Sequence, residues 1–243
     1  MRAHCIRVRG GTAEGDLSCD AGHRIRLGDG DVDGVFAGWT WNGRALAIEQ
    51  DRYGFFPLFE WRAGDTRVVS TDLVALLEQG APADLDIDAL AVFARTGFFV
   101  GADTPFRDIR AVLPPLLPPR RLDVSRPRAV DGFIDLFRHA MARRRPSGPF
   151  VMPLSGGRDS RHILFALCDA GHAPQACVTV RHFPPRANDD ELIAGDLCAA
   201  LGIAHRVIAQ PRDRAAVERR KNLLTHLCTD EHAQFVVLAE HLR

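Results

Sequence analysis

The chain has 243 residues, 46% of them hydrophobic and 26% charged, a balance that suits a globular fold and argues against disorder. Lys and Arg together number 31, as do Asp and Glu, so the formal net charge is zero and the positive excess expected of a nucleic-acid-binding protein is absent. The single lysine, Lys221, leaves almost no candidate for a phosphate-binding point charge of that type.

In chain order, residues 1 to about 80 are rich in Gly, Asp, Trp and Phe, with short apolar runs. Val35–Trp41, Ala45–Glu49 and Val68–Ser70 read as strands, separated by turn signals at Asn42-Gly43 and Ala63-Gly64-Asp65. Asp72–Gln79 reads as a short helix ended by Gly80, and Asp86–Arg95 as a second one ended by Gly97. Prolines at 114, 115, 118, 119 and 127 mark residues 114–129 as a linker between a region at 1–113 and another at 130–243. From there the expected order is helix Asp131–Arg144 with Phe133, Ile134, Phe137 and Met141 on one face, strand Phe150–Leu154, helix Arg161–Ala170, strand Ala176–Val180, helix Asp190–Leu201, strand Ile203–Ile208, helix Arg214–Leu227 and helix Gln234–Leu242. Alternation of this kind predicts an α/β fold with a parallel sheet and right-handed crossovers.

The six cysteines (5, 19, 168, 177, 198 and 228) form no C-x-x-C pair, which argues against a zinc site or a redox pair. No apolar stretch follows the N-terminal arginines and no run suits a membrane span, so the expectation is a cytoplasmic protein with reduced thiols, no membrane partner and no nucleic acid.

The junction that carries chemistry is Ser155-Gly156-Gly157-Arg158-Asp159-Ser160, where an apolar strand turns into a helix. Ligands of parallel sheets bind at the carboxyl ends of strands. A helix start there offers unpaired N–H groups and a positive dipole end, and two glycines let an anion approach the backbone. Ser155 and Ser160 add hydroxyls, and Asp159 is suited to a Mg²⁺ ion that bridges phosphate oxygens. The Walker A spacing and its lysine are absent. The alternative is an ordinary tight turn with a Ser or Asp cap.

Ser-Gly-Gly-x-Asp-Ser resembles the pyrophosphate loop of the N-type ATP pyrophosphatases. The stretch Asn188-Asp189-Asp190-Glu191, with Ala194, Cys198–Gly202 and His205, is similar to the asparagine-synthetase branch of that family. Asp33–Ala37 and Asp51–Leu58 look like the second half of its class II glutamine amidotransferase domain, and Ser70–Leu77 and Ile109–Pro115 resemble the stretches that follow. The resemblance implies a three-layer α/β/α domain of adenine nucleotide alpha hydrolase-like, Rossmann-like type at 130–243, preceded by a degenerate α+β remnant of an Ntn-type amidotransferase domain. It implies ATP and Mg²⁺, held by Ser155, Gly156, Gly157, Asp159 and Ser160, with Asp159 on the metal and Leu154 and Val180 near adenine through backbone groups. The implied activity is carboxylate–amine ligation by adenylation, with small-molecule or peptide carboxylate and amine substrates and a possible partner chain or homodimer.

Two departures qualify that expectation. Position 2 is Arg2, Cys5 is internal, and the glutamine-binding segment is missing, which predicts no glutaminase activity. A second acidic motif expected beyond Arg243 is also missing, which leaves open a fragment, a partner that supplies the rest, or a nucleotide-binding relative without turnover. A tRNA-modifying pyrophosphatase is a further alternative, disfavoured by neutral charge and unpaired cysteines. Among weaker signals, Asp29–Gly34 reads as an acidic turn rather than a calcium loop, and Asp190 and Glu191 as ligands or a helix's acidic first turn. His205 reads as a nucleotide-site or core residue, Phe55, Phe56, Trp39 and Trp41 as core or edge aromatics, and Arg143–Arg145 as a solvated helix end. Thr229–Glu231 reads as a helix start or a substrate contact.

Overall fold

The computed structural model describes residues 3–26, 32–115, 123–181, 189–228 and 233–241. Among them it is a mixed α/β protein with three sheets, one of them parallel. It divides into two units, Met1–Pro118 with Asn222–Glu231, and Pro119–Lys221 with His232–Arg243.

In the first unit, β1 (Cys5–Arg9), β2 (Thr12–Gly15), β6 (Phe59–Ala63), β7 (Thr66–Ser70) and β8 (Ile109–Ala111) form an antiparallel sheet in the order β2-β1-β7-β6-β8. A second antiparallel sheet holds β3 (Ser18–Arg26), β4 (Val32–Trp41) and β5 (Leu46–Gln50). Because strand side chains alternate, β7 sends Val69 into a core with Ile6, Cys19, Ala37, Trp39 and Leu58, which draws on both sheets. Its neighbour Val68 enters a second core with Phe59, Leu73, Leu76, Phe106 and Ile109. The latter packs helix α1 (Leu73–Glu78), capped by Asp72, onto the other face of the five-stranded sheet. Helix α2 (Ile87–Thr96) is capped by Asp86 and ends at Gly97 with φ of 80°, a left-handed stop that glycine adopts without strain.

Asp51 closes the loop between β5 and β6. It is 2% exposed, and its Oδ1 accepts from the N–H groups of Tyr53 (3.0 Å) and Phe55 (3.0 Å), its Oδ2 from those of Phe56 (2.9 Å) and Phe36 (3.3 Å). Burial opposes ionisation, but these four N–H bonds outweigh it and hold the carboxyl below its ordinary range.

In the second unit, β9 (Val151–Pro153), β10 (Ala176–Arg181) and β11 (Ala204–Ala209) form the parallel sheet, in the order β11-β10-β9. Helix α4 (Arg158–Asp169) follows β9 and α5 (Asp189–Leu201) follows β10. Both contribute to one core, Leu164 and Leu167 with Ala194 and Cys198 beneath Met152, Leu154 and Cys177. Two crossovers of the same hand that advance in the same direction across a sheet place their helices on the same face, as here. Val178 and Ile208 turn the other way, onto Val237 and Leu238 of α7 (Ala233–His241) and Val217 of α6 (Arg214–Leu224).

Several elements differ from expectation. β1, β2, β3, β6 and β8 were not predicted, and β4 begins at Val32 rather than Val35. Helix α3 runs Arg126–Arg144, five residues longer at its start than the periodicity suggests, with Pro127 in its first turn. Proline fits there because the N–H it lacks would have no helical partner. α3 fully buries none of its residues; of its expected apolar face Met141 packs against the core of Met152, Leu164 and Leu167, whereas Phe133 at the other end is 59% exposed. Phe55 is likewise exposed, whereas Trp39 is core. α6 ends at Leu224, not Leu227. None of the six cysteines is in a disulfide, and among the described residues no helix is long and apolar enough to cross a membrane. The acidic turn before Val32, most of the proline-rich stretch at 116–122, Asn188 and Thr229–Glu231 lie outside the described residues.

All three tryptophans (39, 41 and 61) belong to the first unit, so their fluorescence reports that unit alone. Asp51→Asn should lower its stability by roughly 3 kcal/mol in urea titrations followed by tryptophan emission, because an amide NH₂ cannot accept two of the four N–H donors. A folded pKa below the unfolded one stabilises fully above the unfolded value. The difference between wild type and variant should therefore persist at neutral pH and shrink as pH falls through the carboxylate range toward the lowered folded pKa.

Candidate functional site

β9 pairs with β10 over Val151–Ala176, Met152–Cys177 and Pro153–Val178, and the paired register ends there. Leu154 makes one further ladder bond, its N–H donating to the Val178 carbonyl at 2.9 Å. Its own carbonyl accepts from a side chain, the Thr179 hydroxyl at 2.7 Å, and the chain then leaves the sheet. Thr179 has one hydroxyl proton and gives it to that carbonyl. Its 2.8 Å contact with His205 Nε2 therefore needs the proton to sit on the imidazole nitrogen, which fixes the ring's donor side. The Nδ1 side lies over Gly195 of α5.

Beyond Leu154 the turn alternates, with Ser155 exposed, Gly156 buried and Gly157 exposed. Gly157 is the N-cap of α4, at φ −70° and ψ 158°, and no side chain caps the helix. The first-turn N–H groups thus have neither a helical nor a side-chain acceptor, which is the arrangement an anion completes. Gly156 is required by proximity. A Cβ there would lie 2.6 Å from Asp190 Oδ1 and 2.7 Å from Asp190 Cα, so the start of α5 presses on the turn. At Gly157 a Cβ would meet only the rotatable Ser155 hydroxyl, at 3.1 Å.

The two serines hold the turn closed on itself. Ser155 Oγ accepts from the Gly157 N–H (3.2 Å) and lies 3.0 Å from Ser160 Oγ, which in turn accepts from the Ser155 N–H (3.2 Å). The Ser160 hydroxyl also lies 3.1 Å from the Ser155 carbonyl, and Arg161 Nε donates to the Gly157 carbonyl at 3.2 Å. These hydroxyls reach a phosphate only by rotating about χ1, which exchanges the internal contacts for external ones.

The acids near the turn have different roles. Asp159 is exposed in the first turn of α4. Asp190 lies against Gly156, whereas Glu191 forms a two-bond ion pair with Arg181, at 2.7 Å from Nε and 2.5 Å from Nη2. Those bonds from Arg181 hold the Glu191 carboxyl below its ordinary range. Among the described residues no group of three or more His, Cys, Asp or Glu side chains is arranged to hold a metal. An exposed carboxylate such as Asp159 beside a helix start is a donor of the kind Mg²⁺ accepts, since that ion keeps most of its shell as water and phosphate oxygen.

The structure thus brings Leu154, Ser155, Gly156, Gly157, Asp159 and Ser160 to one strand-to-helix turn. Leu154 has its N–H on the Val178 carbonyl and its carbonyl on the Thr179 hydroxyl. Val180 lies on β10 beyond the last β9 pair, half-buried against the Val178 and Ile208 core. Lys221 is 2% exposed and paired with Glu218 at 3.1 Å. Two determinants were not anticipated, Thr179 and the contact of Asp190 with Gly156. A polar residue inside the apolar run Ala176–Val180 was the available signal for the first. Compared with known proteins, the chain matches no family model and no curated sequence.

The two glycines should respond differently to the same methyl group. In urea unfolding followed by circular dichroism, Gly156→Ala should lose about 1–3 kcal/mol through backbone overpacking, and Gly157→Ala within about 0.5 kcal/mol. Thr179→Val should leave the Leu154 carbonyl and the His205 N–H without their partner, at about 1–3 kcal/mol, and raise deuterium uptake in a peptide spanning 150–164.

Proposed function

We propose that the second unit binds Mg²⁺-ATP at the 155–160 turn, and that the protein is an ATP-dependent carboxylate–amine ligase of the asparagine-synthetase type. The observation that carries this reading is the uncapped start of α4 at the carboxyl end of a parallel strand, opened by Gly-Gly, with Asp159 in its first turn. The β11-β10-β9 order, with helices on both faces, supports the adenine nucleotide alpha hydrolase-like, Rossmann-like fold. The two antiparallel sheets sharing a core in the first unit support an Ntn-type amidotransferase remnant.

On this reading, N–H groups of Gly157 to Ser160 and the rotated Ser155 and Ser160 hydroxyls hold the pyrophosphate portion of ATP. Asp159 holds the metal, whose contribution is to offset phosphate charge. A substrate carboxylate oxygen attacks the α-phosphorus, the bond to pyrophosphate breaks, and the acyl adenylate forms. An amine then attacks the acyl carbon, its proton is lost to solvent, and AMP leaves. The chain's share of the rate is orientation and charge stabilisation at the leaving pyrophosphate. On this reading the amine is ammonia or a substrate amine.

The test is Mg²⁺-dependent ATP–pyrophosphate exchange across a panel of amino-acid and peptide carboxylates. Exchange with at least one acid is expected, with a loss of roughly a hundredfold in Asp159→Ala. Saturable ATP binding with no exchange for any acid would replace the ligase by a nucleotide-binding protein. Absence of ATP binding would remove the site altogether.

A further inference from the structure

The first unit contains a cavity of ≈ 430 Å³, within the range of small-molecule sites. Phe55, Phe56, Phe59 and Leu223 supply apolar wall, and Asp72 and His226 supply polar groups. Three features set it apart from a packing gap. First, the chain enters it with strain, because His226 and Leu227 sit at φ of 55° and 61°, the left-handed region that bulky side chains avoid. Second, the His226 ring is packed edge-on to Phe59, centroids 5.3 Å apart, and its Nδ1 is buried with no hydrogen-bond partner among the described residues. Third, Nδ1 lies 3.9 Å from Asp72 Oδ1, too far for a hydrogen bond, so the carboxylate is not neutralised by the ring.

The charge of the cavity follows. Burial lowers the affinity of the His226 imidazole for a proton more than Asp72 restores it, which leaves the ring neutral at neutral pH. Burial also raises the Cys228 thiol to about 11, so it too is uncharged. No Arg or Lys lines the cavity among the described residues. Among the described lining residues Asp72 is the one formal charge, and its Oδ1 already accepts from Val74 N–H (2.8 Å) and Ala75 N–H (3.3 Å) as the cap of α1. A single carboxylate with aromatic walls repels carboxylates and phosphates and attracts a cation with an apolar body, which gains both an ion pair and contact with ring faces.

We propose that this cavity is a binding site for a small organic ammonium ion, its charged end on Asp72 and its apolar body against Phe55, Phe56 and Phe59. The site lies wholly within the first unit and does not rest on the nucleotide reading of the 155–160 turn. Its probe is phenethylammonium, with phenylacetate as the counterpart of similar shape and opposite charge. The imidazole resonance of His226, assigned by its disappearance in His226→Gln, reports occupancy in the full chain. Saturable shifts with phenethylammonium and none with phenylacetate are expected. Asp72→Asn keeps a capping oxygen for α1 while removing the charge, and should weaken binding roughly ten- to hundredfold. Added salt should weaken it in the wild type, which tests the charge without any variant. Equal binding of the two probes, no saturable shift with phenethylammonium, or affinity indifferent to both salt and Asp72→Asn would overturn the proposal.

Discussion

The hydrogen bond from the Thr179 hydroxyl to the Leu154 carbonyl decides where the second unit's first strand ends. A parallel ladder continues as long as each carbonyl finds a backbone N–H on its neighbour. Once a side chain takes that carbonyl, the strand is released with its last acceptor satisfied, and the chain can turn without leaving a buried polar group unpaired. Everything proposed for the turn depends on this release occurring at Leu154 and not a residue or two later. His205 completes the arrangement, because its Nε2 proton occupies the acceptor side of Thr179 and leaves the hydroxyl one direction in which to donate.

Gly156 then allows the turn to be as tight as it is. The N-terminal end of α5 approaches to a distance that any Cβ would violate, so the two helix starts that flank the carboxyl edge of β9 and β10 are set by one hydrogen atom's worth of space. This proximity brings the Asp190 carboxylate to the turn as well. Negative charge beside an anion site is tolerable where a divalent cation lies between them, and is costly otherwise. Glu191 avoids the problem by pairing with Arg181, and so the two adjacent acids of α5 serve different ends.

Much of the second unit was legible because its signals are local. Apolar strands of parallel sheets read as continuous runs, and Gly171 and Gly202 punctuate the helices between them. The first unit was less legible for the opposite reason. In β1, Ile6 and Val8 alternate with Arg7 and Arg9, and in β3 the run Ser18–Arg26 is mostly polar, so pairing with β7 and β4, not composition, makes them strands. Pro127 reads as a breaker from sequence, yet it is placed where a helix starts. The candidate turn was visible as a motif, but the contacts that shape it join residues 154, 179 and 205, or 156 and 190, and no spacing rule predicts those. The left-handed backbone at His226 and Leu227 had no glycine or asparagine to announce it.

The two units each contain a loop whose backbone N–H groups converge, and they differ in what fills it. Around Asp51 the filling group is a carboxylate of the same chain, fully buried, with four N–H donors and no competitor. Such a loop is closed permanently, since any outside anion would have to displace a covalently tethered one of matching charge. At the 155–160 turn the filling groups are two serine hydroxyls, neutral, on an exposed edge, and bonded mainly to each other and to their own backbone. Charge-assisted bonds to a phosphate are about twice as strong as neutral ones, so on the proposed reading the exchange of internal hydroxyl contacts for phosphate contacts is favourable. The physical difference between the two loops is therefore the charge and the tether of the acceptor already in place, and that difference, more than the glycine pair itself, is why the proposed ligand site is the second loop and not the first.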